Sequence, residues 1–125
     1  MGVESHPVVQ NGIEAGDRLA ATLGAHRTVG GVCTVFVRRT KSAVFVWMGD
    51  PPSLRIGSLT DDAPVTDRLD MIAVILTDAG ISTRVSSDIR QDLWRKLVFI
   101  ASFGGVAALS DASAGLCAAS RGLEG

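Results

Sequence analysis

Cysteine is scarce in this chain. Its 125 residues hold only two, Cys33 and Cys117. They form neither a Cys-x-x-Cys motif nor a zinc-ligand spacing, so they read as small buried hydrophobes in a reducing compartment. Excess charge is lacking too. Twelve Lys and Arg stand against thirteen Asp and Glu, a net charge of −1. That balance excludes the basic footprint of a nucleic-acid binder and the polybasic patch of a membrane anchor. The longest uncharged run, Leu97 to Ser110, is too short to span a bilayer and reads as a buried core helix. No secretory signal is visible, because Glu4 and His6 interrupt the N-terminus and no apolar segment follows; the cytoplasm is the expected location. His6 and His26 are isolated, expected at the surface or at loop ends. The sequence offers no metal site and no Ser/His/Asp set. A Gly-x-Gly-x-x-Gly turn is also missing, since Gly30-Gly31 and Gly104-Gly105 do not have the spacing. That turn is where backbone N–H groups and a helix N-terminus take a pyrophosphate.

What is present is a globular composition, 46% apolar and 20% charged, able to build one modest domain that buries roughly two-thirds of its unfolded surface. Pro7-Val8-Val9-Gln10 is a short apolar run ending at Asn11-Gly12, consistent with a buried strand of an α/β sheet. Ile13 to Leu23 has helical spacing in Ile13, Leu19, Ala20 and Leu23, with Gly24 as its stop. Asn11 is then the expected N-cap, with Glu14 completing a capping box. Asn11 also falls at the carboxyl end of a strand, where open α/β sheets bind ligands.

Thr28 to Val37 and Ala43 to Met48 are rich in valine, phenylalanine and threonine and read as strands. Arg38-Arg39-Thr40-Lys41-Ser42 between them reads as a polar, solvated hairpin tip. Gly49-Asp50-Pro51-Pro52 is a turn carrying two consecutive breakers. Ser53 to Ser58 is a third short strand, so the three make an antiparallel meander. Thr60 to Pro64 is a polar linker. Val65 to Ala79 is a helix with Val65, Leu69, Ile72, Ala73 and Leu76 on one face and Gly80 closing it. Ile81 to Val85 is a short strand. The last stretch, Asp111 to Gly125, has little periodicity.

Between these lies the most informative segment, Asp88 to Ile100. It opens an amphipathic helix, with Asp88 as N-cap and Gln91 at the third helical position. Ile89, Leu93, Ile100 and Phe103 fall on one stripe at about 100° per residue. Lys96 lies in the middle of that stripe. Such a lysine either snorkels to water, pairing with Asp92 four residues earlier, or stays near a polar partner. If it stays, burial makes it a readier proton donor near neutral pH. Beyond Ile100, the mid-helix pair Gly104-Gly105 costs roughly 1 kcal/mol per glycine against alanine. The pair points to close approach by another backbone or a ligand, or to the helix ending there.

The run Ile89-Arg-Gln-Asp-Leu-Trp-Arg-Lys96-Leu-Val-Phe99 resembles the helix that opens the C-terminal domain of ketopantoate reductases (2-dehydropantoate 2-reductases). Gln10-Asn11-Gly12 is similar to a second motif of that family, at the family's usual separation. Pro51 to Gly57 is similar to its recurring segment ending in Ile-Gly. The resemblance covers about Pro7 to Leu109. It implies an α/β fold: the C-terminal part of a Rossmann-like nucleotide domain with an antiparallel meander over residues 1–86, running into the first helix of an α-helical substrate domain over 87–125. It further implies NADPH-dependent reduction of 2-dehydropantoate to pantoate, a step in pantothenate and coenzyme A biosynthesis. Lys96 would then be catalytic, donating the proton, and would also bind substrate. Asn11 would bind both the nicotinamide and the substrate, a small 2-oxo acid.

The family's chain is roughly twice this length or more, since it holds a full nucleotide domain and a complete helical domain. The expectation is therefore an incomplete chain, poor in catalysis by itself. Known members carry asparagines four and eight residues after the lysine. Here those positions are Ile100 and Gly104, which donate no directional side-chain hydrogen bond. The substrate is therefore open to include another 2-oxo acid or ketone. The alternative from another class is a non-catalytic fragment or interaction module, whose unpaired sheet edge and uncovered helix faces invite association. Either reading allows a homo-oligomer.

Overall fold

Two β-α-β units stand back to back in the chain, joined by one long hairpin. The computed structural model describes residues 4–60 and 66–110. The order is β1 (His6–Val8), α1 (Ala15–Leu23), a 3-10 turn at Ala25–Arg27, β2 (Thr28–Lys41), β3 (Val44–Ser58), α2 (Thr66–Asp78), β4 (Ser82–Val85) and α3 (Ile89–Ser110). The sheet order is β1-β2-β3-β4. β1 runs parallel to β2, β2 antiparallel to β3, and β3 parallel to β4. Each parallel pair is bridged by a helix, as parallel pairing requires. The expected linker residues 61–64, Val65, Cys117 and the stretch 111–125 lie outside the described residues.

Strand alternation divides the core into two layers. On one face Val29, Leu54 and Ile56 meet Leu69 of α2, with Cys33, Ile72, Ala73, Leu76 and Val85 packed around them. On the other face Val32 and Leu59 meet Ile89 and Leu93 of α3, flanked by Ile13 before α1. The helical period of α2 is therefore read correctly from its sequence. Its end is a hydrogen-bonded cap, with Gly80 N–H donating to the Thr77 carbonyl (2.9 Å) and Ile81 N–H to that of Leu76 (2.8 Å).

The antiparallel part of the sheet differs in one respect from the expected three strands. Ala43–Met48 and Ser53–Ser58 belong to a single strand, β3. Gly49-Asp50-Pro51-Pro52 does break the ladder, but as a wide bulge and not a turn. The pairs Phe36–Met48 and Thr34–Ser53 flank it, so four residues of β3 oppose Val35 alone. Gly49 takes a φ of +80°, and the Trp47 indole N–H donates to the Asp50 carbonyl at 3.0 Å. Prolines cannot donate to a ladder, which is why they are tolerated here. The hairpin turn itself is Ser42-Ala43, with Arg38, Arg39 and Lys41 exposed on the strand before it.

α3 also departs from expectation. It continues through Gly104-Gly105, and apart from the adjoining residues and backbone of the helix itself, no heavy atom among the described residues comes within 4 Å of the place where a Cβ would stand on either glycine. Its contribution to the core described above comes from its first turns. Ile89 and Leu93 are buried, whereas Trp94, Val98, Phe99 and Leu109 are exposed. The Phe99 and Phe103 rings meet in a tilted contact, with centroids 4.5 Å apart and planes at 41°.

Candidate active site at the start of α3

α3 is tied down at four points before it reaches Lys96. Asp88 caps it, its Oδ1 accepting from Gln91 N–H at 2.9 Å, while Asp88 N–H donates to Ser86 Oγ at 3.2 Å. Ile89, only 1% exposed, seats its side chain against Gly30 of β2 and Gly57 of β3. A Cβ on Gly57 would stand 2.6 Å from that of Ile89, so this strand position needs to be side-chain-free, and one on Gly30 would stand a tight 3.0 Å from Ile89 Cγ1. Arg90 reaches α1 and makes a bidentate pair with Asp17, at 2.7 and 3.1 Å, and a further bond to the Leu59 carbonyl at 3.2 Å. The hydrogen bonds between them hold the Asp17 carboxyl below its ordinary range and push the Arg90 guanidinium up. Asp92, a buried acid, accepts from Arg55 Nη1 of β3 at 2.9 Å and from Ser86 Oγ at 2.6 Å.

One turn further on, half-buried Lys96 donates from Nζ to the backbone carbonyl of Cys33 on β2, at 2.6 Å. The lysine thus stays against the sheet with a polar partner and does not pair with Asp92. The ordinary dimensions of the two elements agree with this. Seven helical residues from Ile89 to Lys96 advance about 10 Å, and three strand residues from Gly30 to Cys33 advance about the same. α3 therefore tracks β2 toward the side of the sheet where β1 ends.

Asn11 lies in the bend that follows β1, exposed, and its side chain has no hydrogen-bond partner among the described residues. Its expected capping role is not realised. α1 begins at Ala15, Glu14 occupies the N-cap position, and no side chain caps the helix. Gly12, at a φ of +118°, turns the chain and delays the helix by one turn. The parallel register pairs Val8 with Gly30. Val9 Cγ2 and the Val8 carbonyl lie 3.0 and 3.1 Å from where Gly31 would carry a Cβ. The chain leaving β1 therefore heads along β2 in the direction of Cys33, whose carbonyl holds Lys96. Asn11 and Lys96 do not hydrogen-bond to each other. Between the bend and α3 is a small cleft of about 100 Å³, lined by Ile13, Glu14, Asp17, Arg90, Leu93 and Trp94.

The Asp92–Arg55–Ser86 and Arg90–Asp17 networks are not anticipated by motif reading. A signal for the first existed. Asp92 sits three residues after Ile89 and one before Leu93, so the buried stripe must pass over it. Ile100 and Gly104, at the positions of the family's asparagines, are exposed. No cluster of three or more metal-ligating side chains occurs among the described residues, nor any helix long and apolar enough to cross a membrane.

No protein-family model matches this chain, and neither does any curated protein sequence. Solved structures do. The chain superposes on 2-dehydropantoate 2-reductase from Geobacter metallireducens GS-15 with a TM-score of 0.71 at 28% identity, over 86% of this chain and 35% of that one. For the 2-dehydropantoate 2-reductase from Methylococcus capsulatus the TM-score is 0.65 at 25% identity, over 85% of this chain and 35% of that one. A D-mandelate dehydrogenase in complex with NADH shares the fold at 17% identity, with a TM-score of 0.72 over 86% of this chain and 35% of that one. The chain thus has the Rossmann-like α/β fold of ketopantoate reductases and spans about a third of the length of these structures. Its neighbours are oxidoreductases.

Proposed function

We propose that this chain forms the reacting centre of a ketopantoate reductase-type oxidoreductase, joining the end of a nucleotide domain (residues 1–86) to the first helix of a substrate domain (87–125). The observation that carries the reading is the placement of Lys96. Its ammonium is turned toward the sheet, half-buried, bonded to a neutral carbonyl, and on the side of the sheet where β1 ends. Open α/β sheets bind ligands beyond the carboxyl ends of their strands.

In this reading the substrate is a small 2-oxo acid. Lys96 leaves the Cys33 carbonyl and donates a proton to the substrate's carbonyl oxygen, becoming a neutral amine that water reprotonates. The Asn11 amide, without a hydrogen-bond partner among the described residues, orients substrate and nicotinamide. NADPH, when bound, supplies the hydride to the carbonyl carbon. The product is the 2-hydroxy acid. The residues present suit the reacting end of the dinucleotide only, because no Gly-x-Gly-x-x-Gly turn occurs in the 125 residues. With Ile100 and Gly104 in place of asparagines, 2-dehydropantoate is one candidate substrate among 2-oxo acids and ketones. The cytoplasm is the proposed location.

The test is a chimera in which residues 4–110 replace the matching segment of the Geobacter metallireducens reductase, assayed by NADPH oxidation. Turnover of 2-dehydropantoate or of a bulkier 2-oxo acid supports the proposal. A folded, NADPH-binding chimera that reduces no carbonyl compound sinks it. A second reading, an interaction module that self-associates, is favoured by the apolar side chains left exposed on the hairpin, among them Phe36 (53%), Phe45 (64%) and Trp47 (53%). Gel filtration of the purified chain tests the second reading, which requires a stable oligomer that charged substitutions at Phe45 and Trp47 dissolve; a monomer, or an oligomer that survives those substitutions, excludes it.

A further inference from the structure

We propose that Arg55 and Ser86 are positioning residues that hold the Asp92 carboxylate away from Lys96, leaving its ammonium to the Cys33 carbonyl and to an incoming substrate oxygen. The proposal deepens the reading of Lys96 as proton donor and rests on it.

Asp92 precedes Lys96 by four residues on α3. At that spacing an acid and a lysine meet on one helix face, and the acid-first order is the favourable one. Left to themselves the two would pair. Here both carboxylate oxygens have partners from outside the helix. Oδ1 accepts from Arg55 Nη1 of β3 at 2.9 Å, and Oδ2 accepts from Ser86 Oγ, in the loop before the helix, at 2.6 Å. Arg95 Nη1 stands 3.8 Å from Oδ1 as a weaker third partner. Lys96 Nζ instead takes the Cys33 carbonyl at 2.6 Å.

The distinction matters for proton donation. An ammonium bonded to a carboxylate is held by a charge-assisted bond roughly twice as strong as one to a neutral acceptor. The Asp92 side chain is only 9% exposed, and solvent screens such a pair much less than it would at the surface. A lysine captured there would have to break that bond before reaching substrate. A lysine resting on a backbone carbonyl is released more easily.

The test is a set of double-mutant cycles on the full chain, read by urea unfolding. Coupling between Asp92→Asn and Lys96→Met is measured in the parent and again with Arg55→Ala and Arg95→Ala in place. The expected coupling in the unfolding constant is less than about twofold in the parent and about fivefold or more in the second background. Where that background does not fold, Ser86→Ala frees Oδ2 alone, and a coupling of about threefold is expected. Coupling already present in the parent, or absent in every background that folds, overturns the proposal. The experiment uses no turnover, so its failure is distinct from a failure of Lys96 to act as proton donor.

Discussion

Gly57→Ala is a sharp perturbation of the way α3 is seated. The added Cβ would stand 2.6 Å from Ile89 Cβ, and 3.2 Å from both Ile89 Cγ2 and the Ser86 carbonyl oxygen. None of these is the far end of a flexible side chain. Ile89 is 1% exposed and already fills the space between β2 and β3, so relief requires lifting the helix from the sheet. Overpacking of this kind costs about 1–3 kcal/mol. Alanine restricts the unfolded chain and returns about 0.4–1 kcal/mol where the backbone accepts it, so a net loss of about 1–2 kcal/mol is expected. Gly16→Ala is the matched comparison. Its Cβ would meet Leu59 Cδ1 at 2.7 Å, but a leucine methyl can swing aside, so the cost is expected below about 1 kcal/mol. Gly104→Ala and Gly105→Ala meet nothing within 4 Å and each is expected to stabilise by about 0.5–1 kcal/mol. Urea unfolding at constant slope reads all four. A Gly57→Ala midpoint at or above that of the parent would refute the seating of α3 described above.

Asp88→Ala removes the acceptor of Gln91 N–H and is expected to cost about 1 kcal/mol, measured as a fall in urea midpoint, with Asp88→Ser largely restoring it. The Asp17–Arg90 pair predicts an acid limb. The folded carboxyl titrates below its ordinary 3.8, so its contribution is complete above that value and is lost as pH falls through the lower folded one. Because Asp17 is 54% exposed, the loss is discounted to about 1 kcal/mol or less. Asp17→Asn should flatten the stability profile below pH 4, and an unchanged slope there contradicts the pairing. Asn11→Ala is expected to leave the urea midpoint unchanged, since Asn11 caps nothing, while lowering turnover of the chimera. A drop in stability with normal turnover would assign it a structural role only.

Much of the architecture was legible because the signals were local. The apolar run before Asn11-Gly12, the 3.6-residue period from Leu69 to Leu76, and the cap at Asp88 all depend on neighbours a few residues away. The long β3 was hidden by a local signal that was sound in itself. Gly49-Asp50-Pro51-Pro52 does break the ladder, but β2 is long enough to resume pairing on the far side, and sequence cannot show that the same partner strand waits there. The late start of α1 has a similar cause, because the positive φ at Gly12 decides between cap and bend. At the site, Lys96 was found from its position on an apolar stripe and from resemblance. Its partner could not be, because a carbonyl acceptor leaves no mark on the sequence. Asp92 enters the sequence reading only as the partner Lys96 would have if it snorkelled to water, although its own place on the stripe requires burial and therefore partners from β3 and the preceding loop.

The central claim is that Lys96 is the proton donor of a carbonyl reduction. The most direct measurement is kcat for NADPH oxidation by the chimera with and without Lys96→Met, beside NADPH affinity measured by fluorescence. The account predicts a loss in kcat of about 100-fold or more, with NADPH affinity essentially unchanged. Equal kcat in the two proteins would remove Lys96 from the chemistry and leave its bond to Cys33 a feature of packing alone.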